Sequence, residues 1–415
     1  MKYKSLKSIF HSSGEQNWEN EYYLRINHFT TYLTDIVINP IQNEVQQRHV
    51  KYPIFICSTK NIFIKSERIL MNSNKINMLI KGQPKFATKA YLKNLLINEL
   101  QSTNEKENVR STKKELAAIL NDISPQKSNK RFKGLVSQYA LLLSDKNIEI
   151  NDAEDFREVY DLLLSNDIEK KDIPDGSIFR NQGVGVHDNS RGKWLHRNEY
   201  KEYEIVDFIN KLLQFTNYYE APLLVKTMAS HYLFEYLHPF YDGNGRLGRY
   251  MVAKQLSDNL DEVTALTFSY TVNRNKNKYD KAFEVTSNFY NKGDLTFFID
   301  TMLDFILEGQ QNAIEHLEDN IDMIDRLNSS LKKLKLNEEE TMVLFVLLQD
   351  KVFGSEYSRL SLKRMVEGLP FGRKKLDSII KKHEDKLILV KQRPTIYEIK
   401  QEFINELLSY NIDEE

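Results

Sequence analysis

The chain of 415 residues has one cysteine, Cys57, so no disulfide can close within it. That matches a reducing compartment. Neither sign of charge is in excess: 58 Lys and Arg stand against 59 Asp and Glu, a formal net charge of −1. No overall field therefore draws the chain to nucleic acid or an anionic membrane, and any such contact must be a local patch. No stretch approaches the ~20 apolar residues of a membrane span. The N-terminal MKYKSLKSIFHSSGEQNWEN lacks the apolar core of a secretory signal. Internal repeats and low-complexity tracts are missing too. These absences lead us to expect a cytoplasmic protein with no membrane partner. What is there is ordinary globular material, 28% charged and 41% hydrophobic, long enough for two to four domains.

Strand signals gather near the N-terminus, at Tyr52-Pro53-Ile54-Phe55-Ile56-Cys57 and Asn61-Ile62-Phe63-Ile64, both rich in β-branched and aromatic residues. From Thr88 the texture turns helical, with an apolar stripe of Ala90, Leu92, Leu95, Leu96 and Leu100. The segment from Pro125 to Lys130 reads as a loop. Val184, Val186, Trp194 and Leu195 flank Asp188-Asn189-Ser190-Arg191-Gly192 and predict a hairpin. Pro222 is suited to the first turn of the next helix, which leads into His238. A long amphipathic helix follows over about 295–334. The last eighty residues predict three helices, near 338–348, 360–367 and 371–383, and then a hairpin at 387–390 and 395–399. That order suggests a winged helix. The expected fold is mainly α, with a mixed α/β region at 1–87, a catalytic domain at 88–330 and a winged-helix-like domain at 331–415.

The run His238-Pro239-Phe240-Tyr241-Asp242-Gly243-Asn244-Gly245-Arg246-Leu247-Gly248-Arg249 concentrates the chemistry. Two glycines around an asparagine permit left-handed dihedrals, so successive N–H groups can converge on an anion. This nest opens a helix whose N-terminal dipole end also favours phosphate. Arg246 and Arg249, three apart, share a face of that helix, and two guanidinium forks suit a polyphosphate better than one carboxylate. Asp242 is a hard oxygen ligand beside phosphates, the usual place of Mg²⁺. His238 is the nearby group able to accept a proton near neutral pH. Together they describe phosphoryl or nucleotidyl transfer. His231, seven residues earlier, has no third ligand at metal spacing and reads as a packed, hydrogen-bonded histidine.

The run resembles the signature of the Fic family, H-x-F-x-[D/E]-G-N-G-R-x-x-R, with no departure at a defined position. The resemblance extends over about 92–307, through His231 to Leu237 and Gly293 to Thr296. It implies a protein adenylyltransferase in which His238 deprotonates the target hydroxyl and Asp242 holds Mg²⁺. Gly243, Asn244, Gly245 and Arg246 would bind the phosphates of the substrate ATP, and Phe240 would pack inward to fix the loop. A lysine in place of Gly245 would instead resemble the phosphorylating toxin relatives.

The segment from Thr103 to Asn108 fits the family's inhibitory pattern, [S/T]-x-x-x-E-[G/N], at the end of a helix spanning 88–108. Asn108 suits the left-handed position after a helix. Glu107 sits where the helix dipole disfavours an anion by ~0.3–1 kcal/mol, so either a partner holds it or the surface tolerates it. The resemblance implies that Glu107, with Thr103, occupies Arg249 and keeps it from the γ-phosphate, and in some relatives such a glutamate also serves AMP removal. The hairpin at 183–197 takes the place of the family's flap, which binds a hydroxyl-bearing protein substrate by strand addition. Phe179-Arg180 resembles the lead-in to that flap. Self-modification is expected, and homo-oligomerisation stays open. Arg373, Lys374, Lys375, Lys381 and Lys382 could touch DNA phosphate or form a solvated face. Alternatives are another nucleotide or a phosphocholine donor, and a DNA-binding regulator whose Fic core is a sensor.

Overall fold

Tyr52–Cys57 is a strand, as its composition requires, and pairs antiparallel with Thr31–Ile38, from Thr31 opposite Cys57 to Ile38 opposite Tyr52. We label these β2 and β1. The computed structural model describes residues 3–121, 130–143, 149–188 and 193–410. The strand expected at Asn61-Ile62-Phe63-Ile64 is instead the start of a helix, α1 (Lys60–Lys81). Thr59 caps it, its hydroxyl accepting from the Ile62 N–H at 3.3 Å. The buried positions Ile62, Ile69, Ser73 and Ile76 recur at helical spacing. That long-period stripe overrides the local β preference of three residues, and Phe63 is left exposed.

The remaining elements agree with the expected order. Helix α2 (Lys85–Lys106) carries the stripe beginning at Ala90. Strands β3 (Val184–Asp188) and β4 (Lys193–Asn198) form an antiparallel hairpin. Its turn, at 189–192, lies outside the described residues, as does most of the loop read at Pro125 to Lys130. Pro222 stands just before α3 (Leu223–Leu237) and is not its first residue. Helix α4 (Asn244–Asn259) begins two residues earlier than the motif suggests. The helices α5 (Phe268–Arg274) and α6 (Lys276–Ser287) precede α7 (Thr296–Lys333), whose 38 residues contribute to both main cores. After it come α8 (Glu338–Phe353), a short helix at Leu362–Val366, α9 (Arg373–Lys382), the hairpin of β5 (Leu387–Gln392) and β6 (Thr395–Ile399), and an unanticipated helix, α10 (Gln401–Ser409).

The apolar stripes meet in two main cores. The first joins Leu96 and Leu100 of α2, Met228 and Leu233 of α3, Leu247 of α4, and Phe298, Met302 and Ile306 of α7. The second joins Ala87, Ala90 and Tyr91 of α2, Leu327 and Leu331 of α7, and Leu347, Leu376, Ile399 and Leu407 of the C-terminal unit. Helix α2 thus belongs to both. The N-terminal strands are fastened to the first core by β2. The Phe55 N–H donates to the Gly293 carbonyl at 3.2 Å, and the Leu295 N–H donates back to the Phe55 carbonyl at 3.0 Å. Gly293 has φ 83° and leaves no room for a Cβ, which would stand 2.4 Å from the Pro53 carbonyl oxygen.

Candidate active site

Helix α3 ends where His238 takes a left-handed conformation, φ 51° and ψ 62°. A non-glycine residue persists there only if its surroundings over-determine it. Arg180 does this: fully buried, it donates to the carbonyls of His238 at 2.7 Å and Leu237 at 3.1 Å. The Asn198 amide donates to the carbonyls of Tyr236 and Leu237 at 3.2 and 2.9 Å. The last carbonyls of α3 are therefore satisfied by side chains that arrive beside the hairpin. The His238 ring places Nδ1 3.3 Å from the Glu235 carbonyl. Since a carbonyl only accepts, Nδ1 carries the proton and Nε2 is the free acceptor. Burial, helped by the Arg180 charge, lowers the His238 pKa to about 4, so the ring is neutral at pH 7.

The loop after His238 is fixed by its own asparagine. Asn244 accepts from the Phe240 N–H at 3.0 Å and donates to the Phe240 carbonyl at 2.8 Å. The Phe240 ring is fully buried and stacks on Tyr160 with centroids 3.7 Å apart. This is the inward packing expected of it. Gly243 is left-handed at φ 86° and caps α4, and the Tyr160 hydroxyl donates to the Asp242 carbonyl at 3.1 Å. The carboxylate of Asp242 is 43% exposed and sits 3.4 Å from Arg246. One exposed carboxylate beside the N-terminus of α4 is of the kind that suits Mg²⁺, which binds through one or two carboxylates plus water and other oxygens.

Arg246 is 1% exposed, yet its Nε and Nη1 donors have no partner among the described residues. Buried donors without an acceptor are uncommon and mark a place for one. Arg249, equally buried, is engaged at all three of its nitrogens. Its Nη1 lies 2.8 Å from the Glu107 carboxylate, its Nε donates to the Thr103 hydroxyl at 3.0 Å, and its Nη2 donates to the Thr103 carbonyl at 2.9 Å. The two arginines of the first turns of α4 differ: among the described residues Arg246 meets only the Asp242 carboxylate, at 3.4 Å, and Arg249 meets a carboxylate, a hydroxyl and a carbonyl.

The model of the Fic/DOC family matches residues 151–256, which include the whole loop and both arginines. The chain carries a Fic/DOC domain. Proteins with this domain generally transfer a nucleoside monophosphate to protein, a transferase-type activity. Among solved structures, a Fic family protein from Desulfovibrio desulfuricans is similar at 14% identity over 83% of this chain and 97% of its own, with a TM-score of 0.49. Fic-1 from C. elegans is similar at 15% over 76% and 81%, with a TM-score of 0.47. A Fic domain containing signaling protein from Bacteroides thetaiotaomicron is similar at 14% over 60% and 97%, with a TM-score of 0.45. A search of curated proteins finds no match.

Beside the Fic loop lies a cavity of about 110 Å³ lined by Glu107, Glu235, His238, Gly245, Arg249 and Tyr279, among others. Helix α2 supplies Glu107 just past its last turn, and Asn108 follows at φ 59°, the left-handed residue that its position predicts. Burial alone would raise the Glu107 pKa, but the charges of Arg249 and Lys106 hold it below the usual carboxylate range. Its carboxylate rests on Gly245, where a Cβ would stand 2.2 Å from Oε1. Among the described residues no cluster of three metal-binding side chains exists. His231 is a packed histidine, with Nε2 2.7 Å from the Tyr279 hydroxyl.

Glu235 is the site residue that motif reading missed. Its carboxyl lies on Gly248, where a Cβ would stand 2.2 Å from Oε1, and that oxygen has no hydrogen-bond partner. Burial pushes its pKa up to about 8, against the lowering pull of Arg249. An acid inside the otherwise apolar Tyr232 to Leu237 was the available signal. Tyr160 had none, and Phe179-Arg180 stood out only as resembling the lead-in to the flap, because the atoms they hold lie 82 and 58 positions away. The basic residues of α9 are largely paired: Arg373 with Asp377, Lys375 with Glu339 and Lys382 with Glu340. These pairs offset part of the basic charge of that helix.

Proposed function

We propose that the protein is an adenylyltransferase that moves AMP from ATP to a hydroxyl of a protein, itself included. The observation that carries the reading is the buried Arg246 with two unpartnered donors beside the neutral base His238. The unpaired guanidinium and the N–H groups opening α4 would hold the phosphates, and Asp242 would hold Mg²⁺, which when bound offsets the charge of the leaving group. The target hydroxyl gives its proton to His238 Nε2 as its oxygen bonds to the α-phosphorus. The bond to the β-phosphate oxygen breaks and pyrophosphate leaves. Tyr279 and Phe283, which line the cavity, offer aromatic surroundings for the base. The hairpin β3–β4 would receive the target's backbone by strand addition, and the C-terminal helices and hairpin read as a winged-helix-like unit.

The Glu107 to Arg249 ion pair supports an autoinhibited resting state. A guanidinium bonded at each of its three nitrogens, to a carboxylate, a hydroxyl and a carbonyl, has its charge offset and its direction fixed away from a γ-phosphate. The test uses ATP labelled at either end. With Mg²⁺, the Glu107→Gly protein should incorporate label from the α-phosphate and none from the γ-phosphate. Label from the γ position alone would make the enzyme a kinase and overturn the reading.

A further inference from the structure

Helices α3 and α4 border a second cavity, of about 340 Å³, together with the helices at Ala153–Leu164 and Glu202–Tyr218. It shares no lining residue with the cavity beside the Fic loop. Its wall is apolar at Phe156, Leu213, Phe234, Met251 and Val252, and the Phe156 and Phe234 rings stack at 5.8 Å between centroids. Thr216 and Ser230 bring hydroxyls whose hydrogens are already spent. Thr216 donates to the Leu212 carbonyl at 2.8 Å, which leaves Ser230 to donate to Thr216 at 2.7 Å. At the rim Lys254 pairs with Asp258 at 2.6 Å, and Glu149 adds a negative charge.

His231, which also lines the cavity, is the exception to this satisfied wall. It is 3% exposed, and its Nδ1 has no partner among the described residues. Its Nε2 lies 2.7 Å from the Tyr279 hydroxyl, which makes no other hydrogen bond among the described residues. If the hydroxyl donates to Nε2, the ring proton sits on Nδ1 and one buried donor is left over. If Nε2 donates instead, the hydroxyl hydrogen and Nδ1 are both left over. The first arrangement strands fewer buried polar groups, so Nδ1 carries the hydrogen. Burial, helped by the Arg249 charge, lowers the His231 pKa to about 3, and the ring is neutral at pH 7.

We infer that this cavity is a second ligand site, taking a small uncharged molecule with an apolar body and a carbonyl oxygen that accepts from His231 Nδ1–H. The volume stands at the low end of ligand pockets, roughly 300–1,000 Å³, and suits a body of one or two rings. An apolar wall with one placed donor is the usual make-up of such a site. A buried donor without an acceptor is costly, and a carbonyl oxygen removes that cost without bringing a charge among Phe156, Phe234 and Val252. The charges at the rim exclude an anion, because Lys254 is offset by Asp258 and Glu149 remains. An ammonium group would face the donor of His231 and gain nothing from it. The inference does not depend on the nucleotide used at the Fic loop or on the role of Glu107.

The experiment titrates the full chain with acetophenone, with α-methylstyrene, in which a methylene group replaces the carbonyl oxygen, and with benzoate. Binding is read by ligand-observed NMR. Acetophenone should bind several-fold more tightly than α-methylstyrene, the usual worth of one hydrogen bond, although the hydrocarbon is the more apolar of the two. Benzoate should not bind, and excess ATP should not displace acetophenone. Met251→Trp fills the cavity and should abolish binding of both neutral compounds. His231→Gln keeps a partner for Tyr279 but removes Nδ1–H, and should bring acetophenone down to the level of α-methylstyrene. Thermal melting shows that each variant is folded. No binding of either neutral compound to the wild type overturns the site. Equal binding of the two overturns the His231 donor, and with it the class of ligand. Displacement by ATP, or binding undiminished in folded Met251→Trp, places the compound elsewhere and overturns the inference as well. Should His231→Gln fail to fold, the paired compounds and Met251→Trp still decide.

Discussion

A histidine that removes a proton from a hydroxyl must be neutral when it acts and fixed in direction. Burial meets the first condition for His238, and the carbonyl bonds of Arg180 and Asn198 meet the second. Replacing His238 by alanine should lower AMP transfer by roughly 10²–10⁴-fold and leave ATP binding intact. Undiminished transfer would remove His238 from the mechanism. Because its pKa is lowered from 6.5 to about 4, the neutral form persists well below the ordinary histidine range. The acid limb of the rate profile should therefore lie near the lower value, activity being lost as pH falls through it. A limb at the ordinary value, in a protein still folded there, would show that the ring is solvated. Asp242→Ala should abolish Mg²⁺-dependent transfer, and a rate with unchanged Mg²⁺ dependence would mean the metal is held elsewhere. The residues that touch the reacting atoms were legible because they fall in one run of twelve. Those that hold this run in place come from across the fold, as Tyr160 and Arg180 do, and spacing along the chain carries no trace of them.

At the scale of elements, α2 and α4 meet at one ion pair, and the two partners should behave differently when removed. Glu107→Gly frees Arg249 and should raise self-modification, whereas Arg249→Ala discards a phosphate ligand along with the pair and should not. The double variant should match Arg249→Ala, the non-additivity of two residues in one interaction. Radiolabel per molecule at fixed ATP and Mg²⁺ is the measurement, and equal or lower incorporation by folded Glu107→Gly would make the end of α2 structural only. Element types were legible where a stripe ran long, as in α7 and α2. The error at Asn61 to Ile64 shows the opposite limit. Three β-prone residues after Asn61 were read as a strand, while the cap at Thr59 and the seven-residue recurrence of Ile62, Ile69 and Ile76 dictate a helix. Strand β1 went unread because its polar Thr31, Thr34 and Asp35 dilute the pattern, and only its pairing with β2 makes it a strand.

For the whole molecule, the expected boundary at residue 330 has to be set beside the second core. Leu327 and Leu331 of α7, Tyr91 of α2 and Ile76 of α1 share that core with Leu347, Leu376 and Ile399. A chain ending at Leu334 would expose that apolar surface, at ~25 cal/mol for each Å² left in water. Such a truncation should be poorly soluble or melt well below the full protein, and a soluble chain with an unchanged melting temperature would show that the unit after 334 is an independent domain. Composition revealed none of this, since a core shared between two units looks, in sequence, like two cores.

The contact between Gly245 and Glu107 carries a consequence for descent. A side chain at 245, even a methyl group, would occupy the space of the Glu107 carboxylate. A lineage that acquires one must shift this carboxylate in the same step, whereas a lineage that has lost the glutamate still meets Arg249 Nη1 3.0 Å from a Cβ at 245. The two positions, 138 residues apart in the chain, are therefore constrained in one direction: while the glutamate keeps this place, 245 has room for glycine alone.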